Sequence, residues 1–202
     1  MKILKEKFKN INIRLASLLY QLKYINIEKL DEIPQSIDEI VVAENKALSY
    51  LNKTIQEVSE SDLKGITHIP YEAFYYYKNL TSIAIPNSVT SIGDHAFYYC
   101  TSLASITIPE GVTSIDEYAF SSCTGLKSIT ISGSVTSIGY SVFQGCKSIT
   151  DIYLNSIKPP YINSSFPSTT IIHVPVGSGE VYRNATNWSS LASQIVEDIV
   201  IE

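Results

Sequence analysis

Three consecutive stretches of 23 residues spell one pattern. LTSIAIPNSVTSIGDHAFYYCTS starts at Leu80, LASITIPEGVTSIDEYAFSSCTG at Leu103, and LKSITISGSVTSIGYSVFQGCKS at Leu126. A chain that repeats itself at this period builds one supersecondary unit per repeat, and no such unit can bury its apolar face alone. Neighbours have to stack and share a core. The architecture this dictates is a solenoid.

Each repeated position carries a physical task. Leu80, Leu103, Leu126 and Ile149 form one column, and Ile83, Ile106, Ile129 and Ile152 the next. With Ile85, Ile108, Ile131 and Leu154 they describe a strand whose alternate side chains face one interior. Val89, Val112 and Val135, followed by Ile69, Ile92, Ile115 and Ile138, bring the coil back across it. A return leg is marked by Phe74, Phe97, Phe120 and Phe143, preceded by Ala73, Ala96, Ala119 and Val142. Pro86 and Pro109 fall just past the strand ends, where a missing N–H is least disruptive. A drifted copy from Ile66 to Asn79 brings the array to about four coils. The L-x-x-I-x-I frame is that of a leucine-rich repeat, so the expected class is an α/β repeat solenoid with an N-terminal helical region and a C-terminal β-containing cap.

The expected organisation places a helical anchoring or oligomerisation region at 1–50, a cap at 51–65, the repeats at 66–154 and a C-terminal cap at 155–202. In the first region Leu4, Phe8, Ile11, Leu15, Leu18, Leu22 and Ile25 are spaced 4, 3, 4, 3, 4 and 3, which is a heptad seam. The seam suits self-association into a homo-oligomer, packing on its own chain, or an amphipathic helix on an anionic surface. Two short helices are expected between Ile27 and Ser49, with Pro34 in a first turn. Thr54 to Val58 reads as a strand covering the first coil. The 23-residue period stops after Leu154, where Pro159, Pro160 and Pro167 predict a rigid loop before a last strand at Thr169 to Val174.

A net charge of −5 gives no reason to expect a nucleic-acid partner. No segment approaches the roughly 18 uninterrupted apolar residues of a transmembrane span, and the basic amino terminus lacks the apolar core and cleavage site of a secretory signal. His68, His95 and His173 have no second ligand at metal-binding spacing. Asp94 and His95 are neighbours on the return leg and need not converge on a serine, so no active site, metal or cofactor is expected. Cys100, Cys123 and Cys146 recur at 23 in an inward column, where thiols pack as small reduced core residues.

Two surfaces remain for recognition. The outward positions of the strands are Ser82 and Ala84, Ser105 and Thr107, Ser128 and Thr130, then Asp151 and Tyr153. The second is a run of tyrosines, Tyr71, Tyr75, Tyr76, Tyr98 and Tyr99, with Tyr118 and Tyr140 along the same edge. Tyrosine offers rigid contact area with a polar tip, which suits protein or sugar recognition.

The frame I-P-x-x-V-T-x-I-G-x-x-A-F-x-x-C resembles the BspA-like, or Treponema-type, leucine-rich repeats of bacteria, over residues 66–154. The segment IIHVPVGSGEVYRNATNWSSLASQIV is similar to the closing segment that follows such repeats. The resemblance implies a non-catalytic binding or structural protein. It points to a bacteriophage virion or tail component that attaches to a protein or glycan on a host surface and contacts other virion proteins through the N-terminal helix. The alternative it implies is a bacterial adhesin at the cell surface or secreted.

Overall fold

The repeat's strands carry isoleucine at alternate positions with serine or threonine between, so each ribbon has one apolar and one hydroxyl-bearing side. The computed structural model describes residues 55–164 and 166–201, which fall within one unit, Asn52–Glu202. Strand β1 (Glu57–Val58) pairs with β2 (Ser82–Ile83). β4 (Ser105–Ile108), β6 (Ser128–Ile131), β8 (Asp151–Leu154), β10 (Ile171–Pro175) and β11 (Ile195–Ile199) continue that face as a five-stranded parallel sheet. A second parallel sheet holds β3 (Ser91–Ile92), β5 (Ser114–Ile115), β7 (Ser137–Tyr140) and β9 (Tyr161–Asn163). Register follows the repeat: Ile106 lies opposite Ile129 and Ile108 opposite Ile131, each residue on its own counterpart. The covering strand expected from Thr54 is present as Glu57–Val58 among the described residues.

The third face overturns the α part of the expected class. The return legs contain no helix; they are turns stitched to the next coil. The N–H groups of Glu72, Phe74 and Tyr76 donate to the carbonyls of Asp94, Ala96 and Tyr98 at 3.0, 2.7 and 2.8 Å, while those of Ala73, Tyr75 and Tyr77 bond within their own coil. His95, Phe97 and Tyr99 repeat the arrangement onto Glu117, Ala119 and Ser121. The legs run five or six residues, and alternate bonding to the neighbour satisfies the backbone groups that a helix would otherwise pair. The repeats therefore form a parallel β-solenoid.

The core is a set of ladders. Phe97 stacks on Phe74 and on Phe120 at 5.1 and 5.0 Å between centroids, with planes within 4°. Phe143 follows Phe120 at 6.0 Å, and Phe166 follows Phe143 at 5.3 Å. The three cysteines are free and buried, as expected for reduced packing. Each thiol lies over a carbonyl of the preceding coil: Cys100 on Phe74, Cys123 on Phe97 and Cys146 on Phe120, at 3.0–3.2 Å. Burial pushes the Cys100 and Cys146 thiols up to about 12, so they stay protonated donors.

Coiling continues past Leu154, where the sequence pattern breaks off, giving about six turns instead of four. Ile138 pairs with Ile162, 24 residues on; Ile152 pairs with Ile172, 20 on; Ile172 pairs with Ile195, 23 on. The proline loop lengthens one leg and the next is shortened, so the inward columns survive while the period does not. Helix α1 (Gly179–Asn184) and a 3₁₀ turn (Ser189–Gln194) replace the return leg of the last coil. There Tyr182 and Trp188 meet edge to face at 5.2 Å, and their polar tips donate to the carbonyls of Ser156 and Pro160, both at 2.8 Å. The N-terminal helical region, with its seam from Leu4 to Ile25 and the short helices to Ser49, lies outside the described residues.

Candidate binding surfaces

The stitched return legs need an unusual backbone. In each leg two residues take left-handed angles: Glu72, His95, Tyr118 and Ser141 in one column (φ 52–55°), Tyr76, Tyr99, Ser122 and Gly145 in the other (φ 61–76°). Glycine adopts this conformation freely, whereas an L side chain costs roughly 1–2 kcal/mol. The fourth leg uses glycine. The first two use tyrosine at the same place.

These rings form one continuous raft. Tyr75 stacks on Tyr98 at 5.2 Å and Tyr76 on Tyr99 at 4.7 Å, with planes within 11°. Tyr98 touches His95 at 5.5 Å, and His95 stacks on Tyr118 at 5.0 Å. Tyr71 and Tyr140 close the two ends edge-on, 6.1 Å from His95 and 5.5 Å from Tyr118. Lys78 places its ammonium 5.4 and 5.6 Å from the Tyr76 and Tyr99 centroids, within cation–π range. The structure thus gathers Tyr75, Tyr76, Tyr98 and Tyr99 with Tyr71, Tyr118 and Tyr140, and adds His95. Asp94 does not orient His95: its Oδ1 accepts the Glu117 N–H at 2.9 Å, and the buried His95 Nδ1 has no hydrogen-bond partner among the described residues.

The strand-face residues point outward from the first sheet. Ser82, Ser105 and Thr107 are exposed, and Ser128, Thr130, Asp151 and Tyr153 are half-buried. A shallow depression of about 520 Å³ crosses the first coils, floored by Ser82, Ser105, Thr107 and Thr130 with Glu60 and Glu110 at its edge. Asp151 and Tyr153 are not part of it. They belong to a cluster at the far end.

That cluster centres on His173, for which the sequence reading found no role. Its Nε2 lies 3.1 Å from Asp151 Oδ1 and its Nδ1 2.7 Å from Asp198 Oδ2, while its ring stacks on Tyr153 at 4.3 Å. β8, β10 and β11 are thereby clasped through side chains as well as backbone. The 20-residue step from Ile152 to Ile172 aligns His173 with Tyr153, which a 23-residue frame conceals. The carboxylates sit on opposite ring nitrogens, and among the described residues no three His, Cys, Asp or Glu side chains converge as a metal site would require. Partial burial disfavours the imidazolium, but the hydrogen bonds and charges of Asp151 and Asp198 outweigh it and raise the His173 pKa. The Thr150 hydroxyl, then His173, hold Asp151 below its ordinary value.

The signs fix the pH response. A raised imidazole stabilises the fold fully below its unfolded value of about 6.5, and that contribution fades as pH climbs through the higher folded value. The depressed Asp151 contributes above the carboxylate range and fades in acid. Urea midpoints should therefore fall between pH 6 and pH 9, and His173→Gln should flatten that decline.

The described residues contain no helix long and apolar enough to cross a membrane. No curated protein sequence matches the chain. Solved structures that do match include a leucine-rich repeat protein from Bacteroides ovatus, 35% identical over 48% of this chain and 24% of that one, with a TM-score of 0.45. The leucine-rich repeat protein of T. pallidum is 30% identical over 59% and 52% of the two chains, with a TM-score of 0.46. A leucine-rich cell surface protein from Faecalibacterium prausnitzii is 32% identical over 50% and 32%, with a TM-score of 0.38. The chain thus spans between a quarter and about half the length of these relatives. The model of the BspA-type leucine-rich repeat region matches residues 67–188 in six copies, running through the coils whose spacing had drifted. Stitched return legs, stacked phenylalanines and a match over more than half the sequence together make this chain a member of the BspA-type leucine-rich repeat family.

Proposed function

We propose that this BspA-type chain is a non-catalytic attachment module that engages a protein or glycan on a cell surface through its tyrosine raft. The observation that carries the reading is the use of Tyr76 and Tyr99 at left-handed positions, in a column where Gly145 supplies the unstrained alternative. Backbone stability alone would favour glycine there, so the rings stand against a local penalty. The hydroxyl row Ser82, Ser105, Thr107, Ser128 and Thr130, with Asp151 and Tyr153 beyond it, is the second surface such a module offers. A bacteriophage virion or tail component is the setting favoured by the heptad seam at Leu4, Phe8, Ile11, Leu15, Leu18, Leu22 and Ile25, which would join copies or hold other virion proteins. The family resemblance equally suits an adhesin at a bacterial surface.

Tyr76→Gly combined with Tyr99→Gly tests the reading, because it relaxes the backbone while removing two rings. Labelled full chain should bind intact bacterial cells saturably, and the double variant, folded by circular dichroism, should bind at least tenfold more weakly, about 1.4 kcal/mol or more. Undiminished binding by the folded variant would sink the proposal. Copurification with virions or with the cell envelope separates the two settings.

A further inference from the structure

One line of the raft has a chemistry of its own. Tyr71, Asp94, Glu117 and Tyr140 occupy equivalent positions in four successive coils and are all exposed. The coils are held in step beside them by N–H bonds from Glu72 to Asp94, from His95 to Glu117 and from Tyr118 to Tyr140, each at 3.0 Å. At about 4.8 Å per coil the two outer tyrosines stand roughly 14 Å apart, with two carboxylates between them. Tyr71 is 53% and Tyr140 47% exposed, the end rings of a stack whose inner members cover one another.

The turns at 70–72, 93–95, 116–118 and 139–141 hold Glu72, Asp94, Asp116 and Glu117, and no lysine or arginine. Among the described residues no Lys or Arg forms an ion pair with Asp94, Asp116 or Glu117; the one Arg pair is Arg183 with Glu197, at the far end. Burial raises the Asp116 carboxyl, and the charges of Asp94 and Glu117 push it further in the same direction. Negative charge from Asp94, Asp116 and Glu117 is therefore crowded on this line, and among the described residues none of the three is ion-paired. Beside it, Lys78 already lies against Tyr76 and Tyr99, so rings of this raft accept a cation.

We propose that the line Tyr71–Asp94–Glu117–Tyr140 docks a basic polypeptide segment. Two of its Lys or Arg side chains rest on the outer tyrosines, and a third lies between the carboxylates. This rests on the attachment reading and gives its partner a chemistry. Four aromatic and acidic groups in a row favour a cation over a neutral sugar, since only a cation gains from both kinds of group. A span of about 14 Å corresponds to four or five residues of extended backbone, or to the splayed outer side chains of three consecutive Arg or Lys residues.

The test uses the full chain and tri-arginine and tri-lysine peptides as probes, with cellotetraose and tri-glutamate as controls, followed by chemical-shift perturbation. Tri-arginine should bind saturably, and more weakly as salt rises. Asp94→Asn with Glu117→Gln, which keeps the oxygen that accepts the Glu117 N–H, should weaken binding by roughly fivefold or more, and Tyr71→Leu with Tyr140→Leu by a similar factor. Circular dichroism and thermal unfolding confirm that both variants fold. Equal tri-arginine affinity in either folded variant overturns the proposal, as does cellotetraose binding where tri-arginine fails. If cells are still bound through Tyr76 and Tyr99 while the peptides are not, the basic partner is wrong and the attachment reading stands. If neither binds, both fall.

Discussion

Phe120→Ala is expected to destabilise the solenoid by about 3–5 kcal/mol, a large fraction of a typical domain's total of roughly 5–15 kcal/mol. Phe120 is fully buried, and its ring lies between Phe97 and Phe143 with planes within 6° of both. Truncation removes two stacking contacts and opens a cavity that neighbouring coils cannot close. Their backbones are pinned on either side, Phe97 N–H to Ala119 O at 2.7 Å and Phe120 N–H to Val142 O at 3.1 Å. Phe74→Ala should cost clearly less, because Phe74 is only half-buried and stacks on one phenylalanine. Urea unfolding by circular dichroism measures both changes. Trp188, the only tryptophan, adds a local probe buried in the last coil. Noncoincident fluorescence and circular dichroism transitions in Phe120→Ala would show the array parting at the weakened rung, as nearest-neighbour coupling allows. A loss below about 1 kcal/mol would mean the ladder contributes little beyond its area.

What could be read from the chain follows from where its physics repeats. Leucine, isoleucine and phenylalanine recur at fixed offsets because each sits on its counterpart, so the columns from Leu80 to Leu154 were legible and proved buried. Cys100, Cys123 and Cys146 were readable for the same reason. The return leg was not, since Ala-Phe in a short apolar run looks the same in a helix and in a turn. Its one signal is Gly145 in the column of Tyr76 and Tyr99, a hint of positive φ that is plain only once the angles are known. Beyond Leu154 the step of 20 preserves the inward face but breaks the frame, and this hid His173 as a clasp; Phe166 keeps the 23-residue spacing from Phe143 but stands without the repeat's other signature residues, so this fifth rung went unmarked. The tyrosine edge was visible as composition and position. That its rings form one raft, with carboxylates in line between Tyr71 and Tyr140, required the stacking of coils in space.

The same register predicts a sharp difference between two deletions that differ by one residue. Removing Thr107–Ile129, 23 residues, joins Ile106 to Thr130 and leaves the strand reading Ser-Ile-Thr-Ile as in β4. Every column stays in phase, Phe97 comes to rest on Phe143, and the Tyr99 N–H finds the Gln144 carbonyl in place of Ser121. The variant should fold cooperatively with a lower urea midpoint, because a solenoid loses one coil's interface and keeps the others. Removing Thr107–Ser128, 22 residues, joins Ile106 to Ile129 instead. With a side-chain period of two, Ile129 and Ile131 then turn outward and Thr130 turns into the core. Each exposed isoleucine forfeits about 1.5–3 kcal/mol, and a buried hydroxyl without a partner adds to the loss. The preceding corner cannot absorb the slip, since Cys100 and Leu103 are fully buried and bonded to each other through backbone. This second variant should be unfolded or aggregated under conditions where the first gives a single transition. Equal stability of the two would show that the isoleucine columns do not set the register.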